Sequence, residues 1–228
     1  MHGRTDRFCF PVLILVIICI ALSSCTRYAD EDSYVPVRYS PSGGNSDINE
    51  HVRTLNDVYD RAVGINPETF GAVAIPGTQL CLPVMKSDAD PMKYQRRDIN
   101  GNYSVRGTPF VVYGGEAYDT DTVICGHYYR TGEVFGTVHL FVEDPSLIRE
   151  HPVILFTGAE GVKEYGIVGA FEVESEELER AVSEGRETLR RLFSLDEDCH
   201  DALFLVTCMD YASSGRRRVL CGLADGKK

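Results

Sequence analysis

The sequence contains no CxxC pair, no internal repeat and no carboxylate pattern that matches a metal cage, and it is short of positive charge. Each absence closes a class of function. Without cysteines at metal-ligand spacing, neither a zinc site nor a dense disulfide framework is indicated. Scattered carboxylates form no metal cage, so neither metal nor cofactor is expected. Lys+Arg number 23 against 34 Asp+Glu, a net charge of −11. A surface of that sign repels phosphate backbones, which disfavours nucleic acid as a partner. Long apolar runs are scarce as well: FCFPVLILVIICIAL, residues 8–22, stands by itself.

That run follows Arg4 and Arg7 and gives way at once to SSCTRYADEDS. The arrangement predicts an export signal or membrane anchor over residues 1–25, basic end inside. It falls short of the roughly 20 apolar residues of a spanning helix. Two fates are open. The segment stays as a single anchor, or Leu22-Ser23-Ser24-Cys25 acts as a bacterial lipobox and Cys25 becomes a lipidated N-terminus. Both predict a protein attached to the bacterial cell membrane with its bulk outside. Residues 26–46, rich in Ser, Pro, Gly and acid, then read as a linker, and residues 47–226 as one domain. A chain of 228 residues at 43% hydrophobic content can bury one sizeable core.

Of eight cysteines, three lie in the export segment and five beyond it. An odd number in an outward-facing domain leaves at least one thiol free or shared between chains.

From Asp47 the pattern becomes helical. Ile48, Val52, Leu55, Tyr59 and Ala62 recur at three- and four-residue steps, Asp47 with Glu50 resembles a capping box, and Gly64 then Pro67 end it. His51 falls on the side that looks exposed. Between residues 70 and 171 strands are expected in GAVAIP, QLCLPV, PFVVY, DTVICGH, TVHLFV, PVILFT and YGIVGAF, with Gly- and Pro-containing breaks between them. A helical stretch at 175–193 follows, with Leu178, Ala181, Val182, Leu189, Leu192 and Phe193 on one face. ALFLVTC and RVLCGL close the chain as strands. Many short strands at close spacing predict a mainly β domain, barrel or sandwich.

Candidate chemistry lies at strand ends. His127 follows the apolar TVIC and Gly126, where a strand fixes a side chain and a loop leaves it reachable. Most strand-end histidines are structural. Cys208 ends ALFLVTC, and a free cysteine is commonly a small buried hydrophobe. Beside it, Arg216, Arg217 and Arg218 return along the next strand. By alternation two of them share a face and the third points away. A solvated basic edge accounts for two of the three. Positive charge near a strand-end thiol favours the thiolate, the nucleophilic form. An imidazole, a thiol and a guanidinium make a coherent acyl-transfer set.

These segments resemble the sortases, and class B sortases most. DTVICGHYYRTGEVF is similar to the segment bearing the family's catalytic histidine, at His127. LFLVTC is similar to its Leu-x-Thr-Cys motif, at Cys208. RRVLCG is similar to the final strand with the catalytic arginine, at Arg217, with Arg218 one step away as the alternative. The helical stretch at 175–193 and the N-terminal helix carry the class B likeness. The resemblance covers about residues 50–223. It implies a closed eight-stranded β-barrel with an N-terminal helix and a helix inserted between late strands. It also implies a cysteine transpeptidase that cleaves a sorting-signal peptide of secreted proteins through a thioacyl enzyme and passes the acyl group to an amine of the cell wall or a pilin. Thr207 would then stand near the substrate. Two departures are visible: Val206 replaces a small polar residue two before the nucleophile, and Arg96 replaces an asparagine. The reading from another class is a non-catalytic, membrane-attached peptide-binding module with the same barrel. A peptidoglycan L,D-transpeptidase would need a His-Gly-Cys context, which VTC lacks.

Overall fold

The computed structural model describes residues 48–115, 121–129, 131–196, 201–207 and 215–224, with the backbone alone of residue 208. The expected anchor at 1–25, the linker at 26–46 and Cys25 lie outside the described residues.

Helix α1 (Ile48–Ile65) precedes β1 (Thr69–Ala74), β2 (Cys81–Met85), β3 (Phe110–Tyr113) and β4 (Thr122–Cys125). Helices α2 (Gly136–Glu143) and α3 (Leu147–Glu150) lead to β5 (Val153–Gly158) and β6 (Gly161–Glu174). Then come α4 (Ser175–Glu184), α5 (Arg186–Leu192), β7 (Ala202–Cys208) and β8 (Arg216–Ala224). The strands close into a barrel in the order β1-β2-β3-β4-β7-β8-β6-β5. Closure leaves no unpaired edge to template aggregation. Among the described residues no helix is long and apolar enough to cross a membrane.

Period-2 alternation sorts each strand between two environments. Val73, Ile124, Ile154, Leu203, Leu205 and Leu220 fill the lumen, packed with Phe135, Val138 and Phe141. Their neighbours Val123, Phe204, Val206, Val219 and Cys221 face outward and are covered by Leu178, Val182 and Leu189. On the other side of the barrel, Leu55 and Val58 of α1 cover Ala72, Ala74 and Leu155. Full burial of a leucine such as Leu55 stabilises by about 1.5–3 kcal/mol. Both faces of β7 are therefore apolar, which explains its unbroken hydrophobic run.

Three local expectations are corrected. TVHLFV is a helix, not a strand: Val138 and Phe141 of α2, three apart, enter the lumen while Leu140 is exposed. A short apolar run carries both periods, and tertiary packing chose the helical one. His51 is buried with Leu55, Val58 and Ala62, so the buried stripe of α1 is turned away from Ile48, which is exposed. The stretch at 175–193 is two helices, broken at Gly185, whose φ of 98° lies in the left-handed region that glycine adopts without a Cβ penalty.

Candidate active site

β4 and β7 run parallel, with Cys125 opposite Val206. The ladder extends one residue past β4, where the Gly126 amide donates to the Val206 carbonyl at 3.0 Å. Two residues beyond the Cys125–Val206 pair stand His127 on one strand's extension and Cys208 on the other strand. β7 and β8 are antiparallel, with Cys208 opposite Arg217 and Thr207 opposite Arg218. Positions 127, 208 and 217 thus form one transverse row at the same end of three adjacent strands.

Parity separates the three arginines. Arg217 shares its strand face with Val219 and Cys221, which pack outward. Arg218 lies on the lumenal parity with Leu220. It donates to the His139 carbonyl at 3.1 Å and approaches Glu143 at 3.4 Å. Arg216 is exposed and pairs with Glu172 and Glu174 at 2.5 and 2.8 Å. Of the three, Arg216 alone is a solvated edge charge; Arg217 and Arg218 are 5% and 8% exposed. Residues directly opposite in an antiparallel ladder share a face, so the register brings Arg217, not Arg218, to the face of position 208. Thr207 is buried at the opposite parity, and its hydroxyl has no hydrogen-bond partner among the described residues.

The half-buried His127 is held from outside the row. Its Nε2 lies 2.8 Å from the carbonyl oxygen of Gln95. A carbonyl only accepts, so Nε2 carries the proton of that bond. The main chain of His127 is pinned by the Phe135 amide, which donates to its carbonyl at 3.0 Å. Sequence reasoning gave no hint of Gln95, since a main-chain contact leaves no residue signature.

Among the other described cysteines, burial pushes the Cys81 thiol up to about 11 and that of Cys221 well above its ordinary value. Cys125 is pushed up to about 12, mainly by burial, with Arg217 opposing the shift and Glu179 adding to it. A thiol raised by burial is disfavoured as a nucleophile at neutral pH. Glu179 is 5% exposed on the covered face of α4. Nothing in the sequence reading singled it out.

Searched by structure, the chain superposes on solved sortase B enzymes. A mutant form of Clostridium perfringens sortase B matches at TM-score 0.65 and 19% identity, over 87% of this chain and 99% of that one. The fold is that of the class B sortases. A Staphylococcus aureus sortase B–substrate complex matches at TM-score 0.62 and 15% identity, over 77% and 93%. A Streptococcus pyogenes class B sortase involved in pilus biogenesis matches at 0.61 and 16%, over 73% and 97%. No protein-family model matches the chain, and no curated protein matches it by sequence. The class B sortase barrel, with a helix before it and helices between β6 and β7, is the architecture read from the motifs. Helix α4 packs against β6 and β8 of the barrel.

Proposed function

We propose that this class B sortase fold works as a cysteine transpeptidase on a sorting-signal peptide. The observation that carries the reading is the row of positions 127, 208 and 217 across β4, β7 and β8. The Cys208 thiolate attacks the carbonyl carbon of the scissile peptide bond, and the Arg217 guanidinium balances charge developing on the oxygen. The C–N bond breaks as His127 gives a proton from Nδ1 to the departing amine, leaving a thioester on Cys208. An incoming amine of the wall or of a pilin attacks that thioester, loses its proton to the imidazole and releases the thiolate. Atoms and charge balance without metal or cofactor. The Staphylococcus aureus enzyme of this fold is known in complex with substrate, which supports a peptide as partner here.

A membrane-attached location suits the activity, since both reactants would lie on the outer face of the membrane. Fractionation of cells expressing the whole chain tests it: recovery in the membrane pellet is expected, and recovery in the soluble fraction after deletion of residues 1–25.

The catalytic reading is tested with the domain and a panel of sorting peptides. Wild type is expected to form a peptide adduct on Cys208 visible by mass and discharged by hydroxylamine; Cys208→Ala forms none. Peptide binding of equal strength by both proteins, with no adduct on either, would replace the enzyme with a binding module.

A further inference from the structure

The carbonyl that holds His127 sits on a short 3-10 turn, Lys93–Arg96, inside the long connection between β2 and β3. A turn of four residues has little rigidity of its own. Its neighbour Tyr94 is 1% exposed and packs with Met85 and Phe110. The Tyr94 hydroxyl donates to Glu68 Oε2 at 2.5 Å and accepts from Asn66 Nδ2 at 2.7 Å. The same carboxylate receives Lys93 Nζ at 2.6 Å, and its other oxygen receives the Ser87 hydroxyl at 3.0 Å. Asn66 also donates to the Ile99 carbonyl at 2.7 Å. Asn66 and Glu68, both just before β1, are thus tied to this connection. The Tyr94 carbonyl accepts from the Thr108 amide at 3.0 Å, which pins the turn from its far side.

We propose that Glu68 is a positioning residue for His127, acting through Tyr94 and the main-chain carbonyl of Gln95. The inference rests on His127 serving as the proton donor of the reaction above. The chain of contacts is continuous: carboxylate to phenol and ammonium, turn to carbonyl, carbonyl to Nε2. Four donors converge on the carboxylate and the phenolic oxygen, so the turn is fixed in rotation as well as position. A ring that swings about its Cβ presents Nδ1 to the departing amine only part of the time. Fixing Nε2 orients Nδ1 before the substrate arrives, which is preorganisation in the ordinary sense.

Two variants test this, Tyr94→Phe and Glu68→Gln, each nearly isosteric. The first readout needs no turnover: the His127 Nε2–H proton resonance, slowed in solvent exchange by its bond to Gln95, is expected in wild type and broadened in both variants. The second is steady-state kinetics on a cleaved peptide. A fall in kcat of roughly tenfold to a hundredfold is expected, with KM within about twofold because neither substituted side chain belongs to the row of positions 127, 208 and 217. An unchanged resonance in both variants overturns the proposal. So does a loss that appears entirely in KM. Broadening in a protein that cleaves no peptide would refute the enzymatic reading and leave the contact chain standing, so the two failures are distinguishable.

Discussion

At the scale of the residue, adjacent arginines on one strand hold different positions because successive side chains leave a strand on opposite faces. Arg217 is opposite position 208 and Arg218 is opposite Thr207. Replacing Arg217 with lysine keeps a charge but loses the planar fork. It is expected to lower kcat on a cleaved peptide by about 10²–10³, the loss typical of one oxyanion donor, with little change in melting temperature. Arg218→Met should do the reverse. It removes the bond to the His139 carbonyl and the approaches to Glu143 and Glu172, and is expected to cost on the order of 2 kcal/mol in urea unfolding. Equal kinetic losses in the two variants would contradict the assignment by parity.

The sequence named both arginines and could not choose between them. A one-residue slip in a hairpin flips every side chain to the other face, and a motif match tolerates such a slip. His127 was legible because Gly126 and an apolar strand precede it. Gln95 was not, because its contribution is a carbonyl that every residue owns.

At the scale of the element, the loops on either side of the row are held by different means. After β4, a Cβ on Gly126 would come within 2.7 Å of the Phe135 ring, and Phe135 is fully buried in the lumen. Gly126→Ala is therefore expected to lower both melting temperature and kcat, since the ring or His127 has to shift. Circular dichroism melts and peptide kinetics check the pair together. Unchanged kinetics would mean that the ring yields and the histidine does not.

The connection between β2 and β3 depends instead on charge. The Lys93 ammonium, then the Tyr94 hydroxyl, hold the half-buried Glu68 carboxyl below the usual carboxylate range. Its folded value is lower than its unfolded one, so its contribution is complete above the unfolded value near 4.5. That contribution drains away as pH falls through the folded value. Urea midpoints measured from pH 7 down to about 3 are expected to fall faster in wild type than in Glu68→Gln, which starts lower and stays flatter. Parallel curves would remove Glu68 from the acid response.

The apolar run TVHLFV belongs at this scale too. Its residues satisfy a strand pattern and a helix pattern over six positions, and local propensity does not separate them. The helix wins because Val138 and Phe141 pack into the lumenal core, a demand that exists only once the strands have formed the barrel.

At the scale of the whole molecule, the inserted helices are locked to the sheet by one buried pair. Asp121, just before β4, accepts from Arg190 Nε and Nη2 of α5, both at 2.7 Å, and from the amide of Ala202 at the start of β7 at 3.0 Å. Both side chains are within 1% of full burial. Removing one partner leaves an uncompensated interior charge, which typically costs about 3–5 kcal/mol. Asp121→Asn is expected to lose that much in urea unfolding, with all probes moving together if helices and barrel unfold as one unit. Separate transitions for helix and sheet signals would mean that α4 and α5 are an independent flap.

What the sequence by itself determined is chemical: an imidazole, a thiol and a guanidinium, each attached to an apolar strand of its own and occurring in a fixed order. Strand alternation is a local property, so which residues of one strand share a face was also written in the pattern. What the tertiary structure decided is which of those residues stand level with one another. Register between β4, β7 and β8 is set by closure of the barrel and by the packing on both its faces. Those contacts join residues far apart in the chain, and no window of sequence contains them.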